Sequence, residues 1–103
     1  SQDSARPQKG DRLMSAEGDY KSLISEIVQK LMDLLGPEIA IQKANKIAGL
    51  RVDDNGRVRS LSGDGQEALR QLIGEYMALS GQIIKNILGP VLAKYPEIKF
   101  TFD

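Results

Sequence analysis

A chain of 103 residues, 41% of them apolar, can build one small domain on a single core and is too short for two with separate cores. Its fourteen basic and fourteen acidic residues balance, which removes the long-range field that would gather nucleic acid or an anionic membrane surface. Lacking cysteine and histidine, it has no disulfide, thiolate nucleophile, imidazole base or Ser-His-Asp arrangement, and no zinc or iron site of the nitrogen and sulfur kind. No cofactor or metal is expected, and what chemistry remains falls to carboxylate, lysine, serine or tyrosine.

The first stretch, Ser1 to Asp19, holds Leu13 and Met14 as its only large apolar residues. So little burial cannot offset the entropy of ordering, so residues 1–18 read as a flexible N-terminal arm or linker and 19–103 as a single small domain. Whether residues 1 and 103 are natural termini or domain cuts stays open. No apolar run approaches the ~20 residues that span a bilayer, and no signal-peptide core is present. No membrane span is expected, and a cytoplasmic location is, in keeping with the absent cysteine.

Tyr20, Leu23, Ile24, Ile27, Val28, Leu31, Leu34 and Leu35 fall on one stripe of a 3.6-period helix, with Lys21, Ser22, Glu26, Gln29, Lys30 and Asp33 opposite. Asp19 is placed to cap its start, and Gly36-Pro37 to stop it. Pro37 then suits the first turn of a second helix running to about Ala48, with Ile39, Ala40, Ala44 and Ile47 apolar and Gly49 as a left-handed stop.

From Leu50 to Leu61 the period changes to two. Asn55-Gly56 predicts a β-hairpin closed by a tight type I′ turn, with Arg57 and Arg59 on one strand face. Asp64 followed by Glu67 has capping-box spacing and announces a third helix. Its stripe runs through Leu69, Leu72, Ile73, Tyr76, Leu79, Ile83, Ile84, Ile87, Leu88, Val91 and Leu92 to Tyr95. Ile98, Phe100 and Phe102 alternate with Lys99 and Thr101 as a final strand. The expected order is α-α-β-β-α-β: a predominantly helical α+β fold whose hairpin and C-terminal strand form one small antiparallel sheet packed on helices.

The third helix carries the sharpest expectation. About thirty residues at ~1.5 Å each give ~45 Å, against ~34 Å for the width of a compact hundred-residue domain. Such a rod either kinks at Gly89-Pro90 or projects toward a partner. Its charges are only Glu67, Arg70, Glu75, Lys85 and Lys94, so much of its circumference should be covered. Gly74, Ala78 and Gly81 share a side, where small residues permit close approach of another element, either the chain's own first helix or sheet or a second copy. The seam expected for a homodimer comprises Leu79, Ile83, Ile87 and Val91 with those small residues.

Other motifs are better explained by local structure. Gly63-Asp64-Gly65-Gln66-Glu67-Ala68 matches a dinucleotide fingerprint, but two acids would meet the pyrophosphate and no parallel strand with a ribose-binding acid follows. A calcium loop around Asp53, Asp54 and Asn55 fails its register, because Gly56 in the sixth position puts Arg51 first and Ser62 twelfth. Gln82 to Tyr95 is amphipathic, yet Lys85 and Lys94 make a poor basic face, which favours a partner helix over lipid. Arg51, Arg57 and Arg59 form a small basic patch open to an acidic partner, diluted by Asp53 and Asp54.

The reading these features favour is a non-catalytic protein–protein interaction or regulatory module of signalling or adaptor type, self-associating through its long third helix and open to other protein partners. The competing reading is a small-molecule sensor with an apolar pocket between sheet and third helix, lined by Tyr76, Met77, Phe100 and Phe102. An enzyme using carboxylates or Tyr76 is the weaker third, since no acid has an argued partner and Ser80, not lysine, lies four residues beyond Tyr76.

Overall fold

The computed structural model describes residues 8–100 and 102, with side chains from residue 19 onward. It is an α+β arrangement, predominantly helical: α1 (Gln8–Leu35), α2 (Pro37–Asn45), β1 (Leu50–Val52), β2 (Val58–Leu61), α3 (Gly65–Met77) and α4 (Gly81–Ala93). The buried apolar residues form one cluster drawn mainly from the four helices and β1, with Val58 and Leu61 of β2 packed against it half-buried.

In α1 the predicted stripe is the buried face, with Leu23, Ile24, Ile27, Val28 and Leu31 sealed from solvent. The helix starts well before Asp19, which therefore lies in its interior and caps nothing. Helix propagation adds one hydrogen bond per residue once a nucleus exists, and no proline interrupts Gln8 to Leu35, so the packed segment extends backward. Residues 8–18 of the expected arm are thus helical, while residues 1–7 lie outside the described part. Gly36, at φ 96°, ends the helix and donates its amide to Met32 O at 2.9 Å.

Pro37 opens α2 as predicted, and Ala40 and Ala44 are its buried face. The helix stops at Asn45, three residues short of expectation, because the Asn45 carboxamide oxygen accepts the Val52 amide at 3.0 Å and ties the helix end to β1. Gly49 then turns the chain at φ 82°, where a Cβ would stand 2.5 Å from the Ser62 carbonyl oxygen.

The hairpin forms, but not around a type I′ turn. Gly56 N donates to Asp53 O and Asp53 N to Arg57 O, each at 2.9 Å, which makes a three-residue loop with Gly56 alone in the left-handed bulge position. Asp53 Oδ1 accepts the amides of Asn55 and Arg57 at 2.9 and 3.0 Å and stabilises this form. The register pairs Leu50 with Leu61, Arg51 with Ser60 and Val52 with Val58, leaving Arg59 as an extra residue that breaks the strict alternation. The hairpin lies on α1: Ser25 Oγ accepts Val58 N at 2.9 Å, and the Gly56 position is closed over by Met32 and Gln29.

Asp64 caps α3 by accepting Gln66 N at 3.0 Å, but the capping box does not close. Glu67 turns instead to Arg70 at 3.2 Å and Gln71 at 2.9 Å.

The single long third helix is replaced by two of thirteen residues, α3 and α4. The chain breaks across Ala78, Leu79 and Ser80, with Ser80 extended at φ −169° and ψ 103°. Serine favours a helix N-cap and Gly81 is a poor helix former, so the break is cheap there. It lets α4 fold back and bury Ile84, Leu88 and Val91 in the chain's own core. Pro90 does not end α4; the carbonyl it cannot serve belongs to Asn86, exposed like Pro90, where water can satisfy it.

Among the described residues the sheet has only two strands, so the predicted strand at Ile98 to Phe102 is absent. Its backbone finds other partners: Gln66 Nε2 donates to Lys99 O at 2.7 Å and Ile98 N to Tyr95 O at 3.0 Å. Phe100 and Phe102, rather than lining one sheet face, meet edge to face at 5.2 Å.

Candidate functional site

Folding α4 back redistributes the residues expected to form one seam. Gly74 and Ala78 lie exposed at the end of α3, and Leu79 sits in the connection. Gly81 opens α4 against Met77, whose Cε would be 3.7 Å from a Cβ added there. Ile83 is 47% exposed, Ile87 half-buried and Val91 only 2% exposed. Val91 is therefore committed to the interior, and no straight stripe joins the seven positions. Nothing lies within 4 Å of a Cβ at Gly74, so neither α1 nor the hairpin fills the space above it.

What the fold builds instead is a groove of about 500 Å³ between α1 and α4. Leu34, in the last turn of α1 and 46% exposed, faces Ile87, Pro90 and Val91 across it, with Lys30, Asp33 and Lys94 around the edge. Ile83 lies one helical turn from Ile87 and extends the apolar face along α4. Periodicity placed Leu34 on the buried stripe of α1 and so missed it. The stripe outruns its cover: Leu31 is sealed, while Leu34 one turn on stays 46% exposed.

Glu26 holds the two helices in this relation. Its carboxylate accepts Lys94 Nζ at 2.7 Å and the Tyr95 hydroxyl at 2.6 Å. These hydrogen bonds, from Lys94 first and Tyr95 second, hold the Glu26 carboxyl below its usual range. Burial, and then Glu26 itself, pushes the Tyr95 phenol up to about 12. Residues this distant in sequence leave no local signal, and the cluster was invisible to motif reading.

A second groove, of about 370 Å³, runs between α3 and the C-terminal segment. Met77, Phe100 and Phe102 of the predicted pocket do converge here, joined by Ile73, Gly74, Arg70 and Lys99. Tyr76 does not take part. It is sealed in the core with its hydroxyl donated to Ala40 O at 2.8 Å, and burial raises its phenol well beyond the usual tyrosine range. The pocket also lies beside the helix alone, since the segment carrying the phenylalanines never joins the sheet.

Arg51, Arg57 and Arg59 are all exposed on the hairpin. Arg51 turns back to Leu50 O at 2.8 Å, and the Asp53 carboxyl, lowered chiefly by the Arg57 amide and further by the charges of Arg59 and Arg57, offsets the patch. At the glycine-rich turn before α3, the Tyr20 ring packs over Gly65 and its hydroxyl donates to Gln66 Oε1 at 2.6 Å, so protein already covers the place a pyrophosphate would need. Among the described residues, no three acids gather as a metal site would require, and no helix is long and apolar enough to cross a membrane. Comparison with family models, with curated proteins and with solved structures finds no match for this chain.

Proposed function

We propose that the chain is a non-catalytic interaction module, of cytoplasmic signalling or adaptor type, that self-associates through the outer face of α4 and the end of α1. One observation carries the reading: Leu34, Ile87 and Pro90 form an apolar groove continued by exposed Ile83, on a helix whose only charge is Lys85. Large apolar groups left together in water favour association, and a twofold pairing would bring the same face of a second copy onto them. The seam is accordingly Ile83, Ile87, Pro90 and Leu34, with Leu79 at its edge. Ala78 and Gly81 belong to the α3–α4 corner rather than to the seam, and the hairpin arginines stay available to a different, acidic partner.

Sedimentation velocity over a concentration series tests this directly. The wild-type chain should gain mass with concentration, and Ile83→Asp, at a surface position, should stay the smaller species with its helical circular dichroism intact. A wild-type chain of constant monomer mass, or an Ile83→Asp variant that associates equally well, overturns the proposal.

A further inference from the structure

The groove between α3 and the C-terminal segment has a composition that the association reading does not use. Its apolar lining is Ile73 and Met77 from the helix and the edge-to-face pair Phe100 and Phe102 from the segment. Each wall also carries one cation, Arg70 on the helix and Lys99 opposite. Among the described residues Arg70 is engaged by Glu67 alone, one turn away, an exposed pair of the kind that contributes little and can be given up. Lys99 has no ion-pair partner among the described residues; only its backbone carbonyl is held, by Gln66, which fixes the segment across α3. A volume of about 370 Å³ lies in the range of small-ligand sites, roughly 300–1,000 Å³.

Gly74 adds an independent sign. Glycine is the poorest helix former after proline, and its use inside a helix is ordinarily offset by close approach of another element. Here no atom stands within 4 Å of where its Cβ would be. What the missing side chain does is keep open the groove that Gly74 lines.

We propose that this groove binds a small anionic amphiphile, a monocarboxylate whose apolar body lies on Met77, Phe100 and Phe102 while its head meets Arg70 and Lys99. Opposite charges on facing walls would have suited a zwitterion, and a wholly apolar rim a neutral lipid; two cations beside an apolar floor select an anion with a tail.

Titration of the ¹⁵N-labelled chain with decanoate, and separately with decyltrimethylammonium, both kept below micelle formation, tests it by chemical-shift mapping. Decanoate should saturate, with shifts centred on Gly74, Met77, Lys99 and Phe100, and bind at least about tenfold more tightly than the cation, a difference of ~1.4 kcal/mol. Arg70→Gln with Lys99→Gln should abolish that preference. Gly74→Leu should block decanoate while leaving helicity unchanged and the unfolding midpoint no lower, because a Cβ there has no neighbouring element within 4 Å and leucine is a better helix former than glycine. Equal affinity for both head groups, shifts centred elsewhere, no saturation, or undiminished binding by Gly74→Leu overturns the proposal.

Discussion

Replacing Gly74 by alanine should stabilise the chain, and the size of the effect follows from the surroundings of one absent methyl group. Gly74 lies inside α3 and has no positive φ, so alanine needs no change of backbone. A Cβ there meets no atom within 4 Å, so there is neither a clash to relieve nor a cavity to fill. The remaining effect is the difference in helix propensity, about 1 kcal/mol in favour of alanine. For a domain of this size that corresponds to a rise of roughly 4 °C in Tm. Urea unfolding monitored by circular dichroism, at a concentration low enough to suppress association, should show a higher midpoint with an unchanged slope. Gly56→Ala supplies the opposite control. It forces a φ of +82° on an L-residue and drives a methyl group to within 2.5 Å of Met32 Sδ, so a loss of about 2 kcal/mol is expected. If Gly74→Ala lowers stability, α3 does not present an open face at Gly74, and the argument from that open face fails.

Tyr76→Phe should cost about 1 kcal/mol, because the Ala40 carbonyl loses a buried donor that water cannot replace; an unchanged urea midpoint would show that the 2.8 Å bond contributes nothing. Glu26 makes stability depend on pH. Its carboxyl is held lower in the folded chain than in the unfolded one, so the unfolded state binds more protons across the acid range and stability rises with pH there. This contribution is fully present above the ordinary carboxylate pKa of about 4.3 and is lost as pH falls through the folded value. Glu26→Gln should flatten that part of a stability–pH profile. Tyr95→Phe, by removing the second hydrogen bond, should move the Glu26 titration back toward the ordinary range in an NMR experiment, and no movement would refute the assignment of that bond.

Local pattern alone determined much of this protein. The period of 3.6 from Tyr20, the stop at Gly36-Pro37, the start of α2 at Pro37, the hairpin around Gly56 and the Asp64 cap all follow from interactions within a few residues, and the structure contains each of them. Three features were decided by tertiary contacts. Leu79 and Ile83 continue the stripe of α3 in perfect helical spacing, so periodicity joins α3 to α4; only the burial of Ile84, Leu88 and Val91 makes the fold-back at Ser80 the better solution. Alternation at Ile98, Phe100 and Phe102 meets a strand's requirement on its own side chains, but a strand also needs an edge to pair with, and here Gln66 takes the Lys99 carbonyl instead. The candidate surfaces follow the same rule. Met77, Phe100 and Phe102 could be suspected together because the apolar C-terminal segment was expected to pack beside the helix that carries Met77, whereas Leu34 facing Ile87, and Glu26 gripping Lys94 and Tyr95, exist only once α4 has turned back. A sequence encodes the period and sidedness of each segment, since those arise from neighbouring bonds; which faces meet, and which stay uncovered, depends on how all the segments compete for one core.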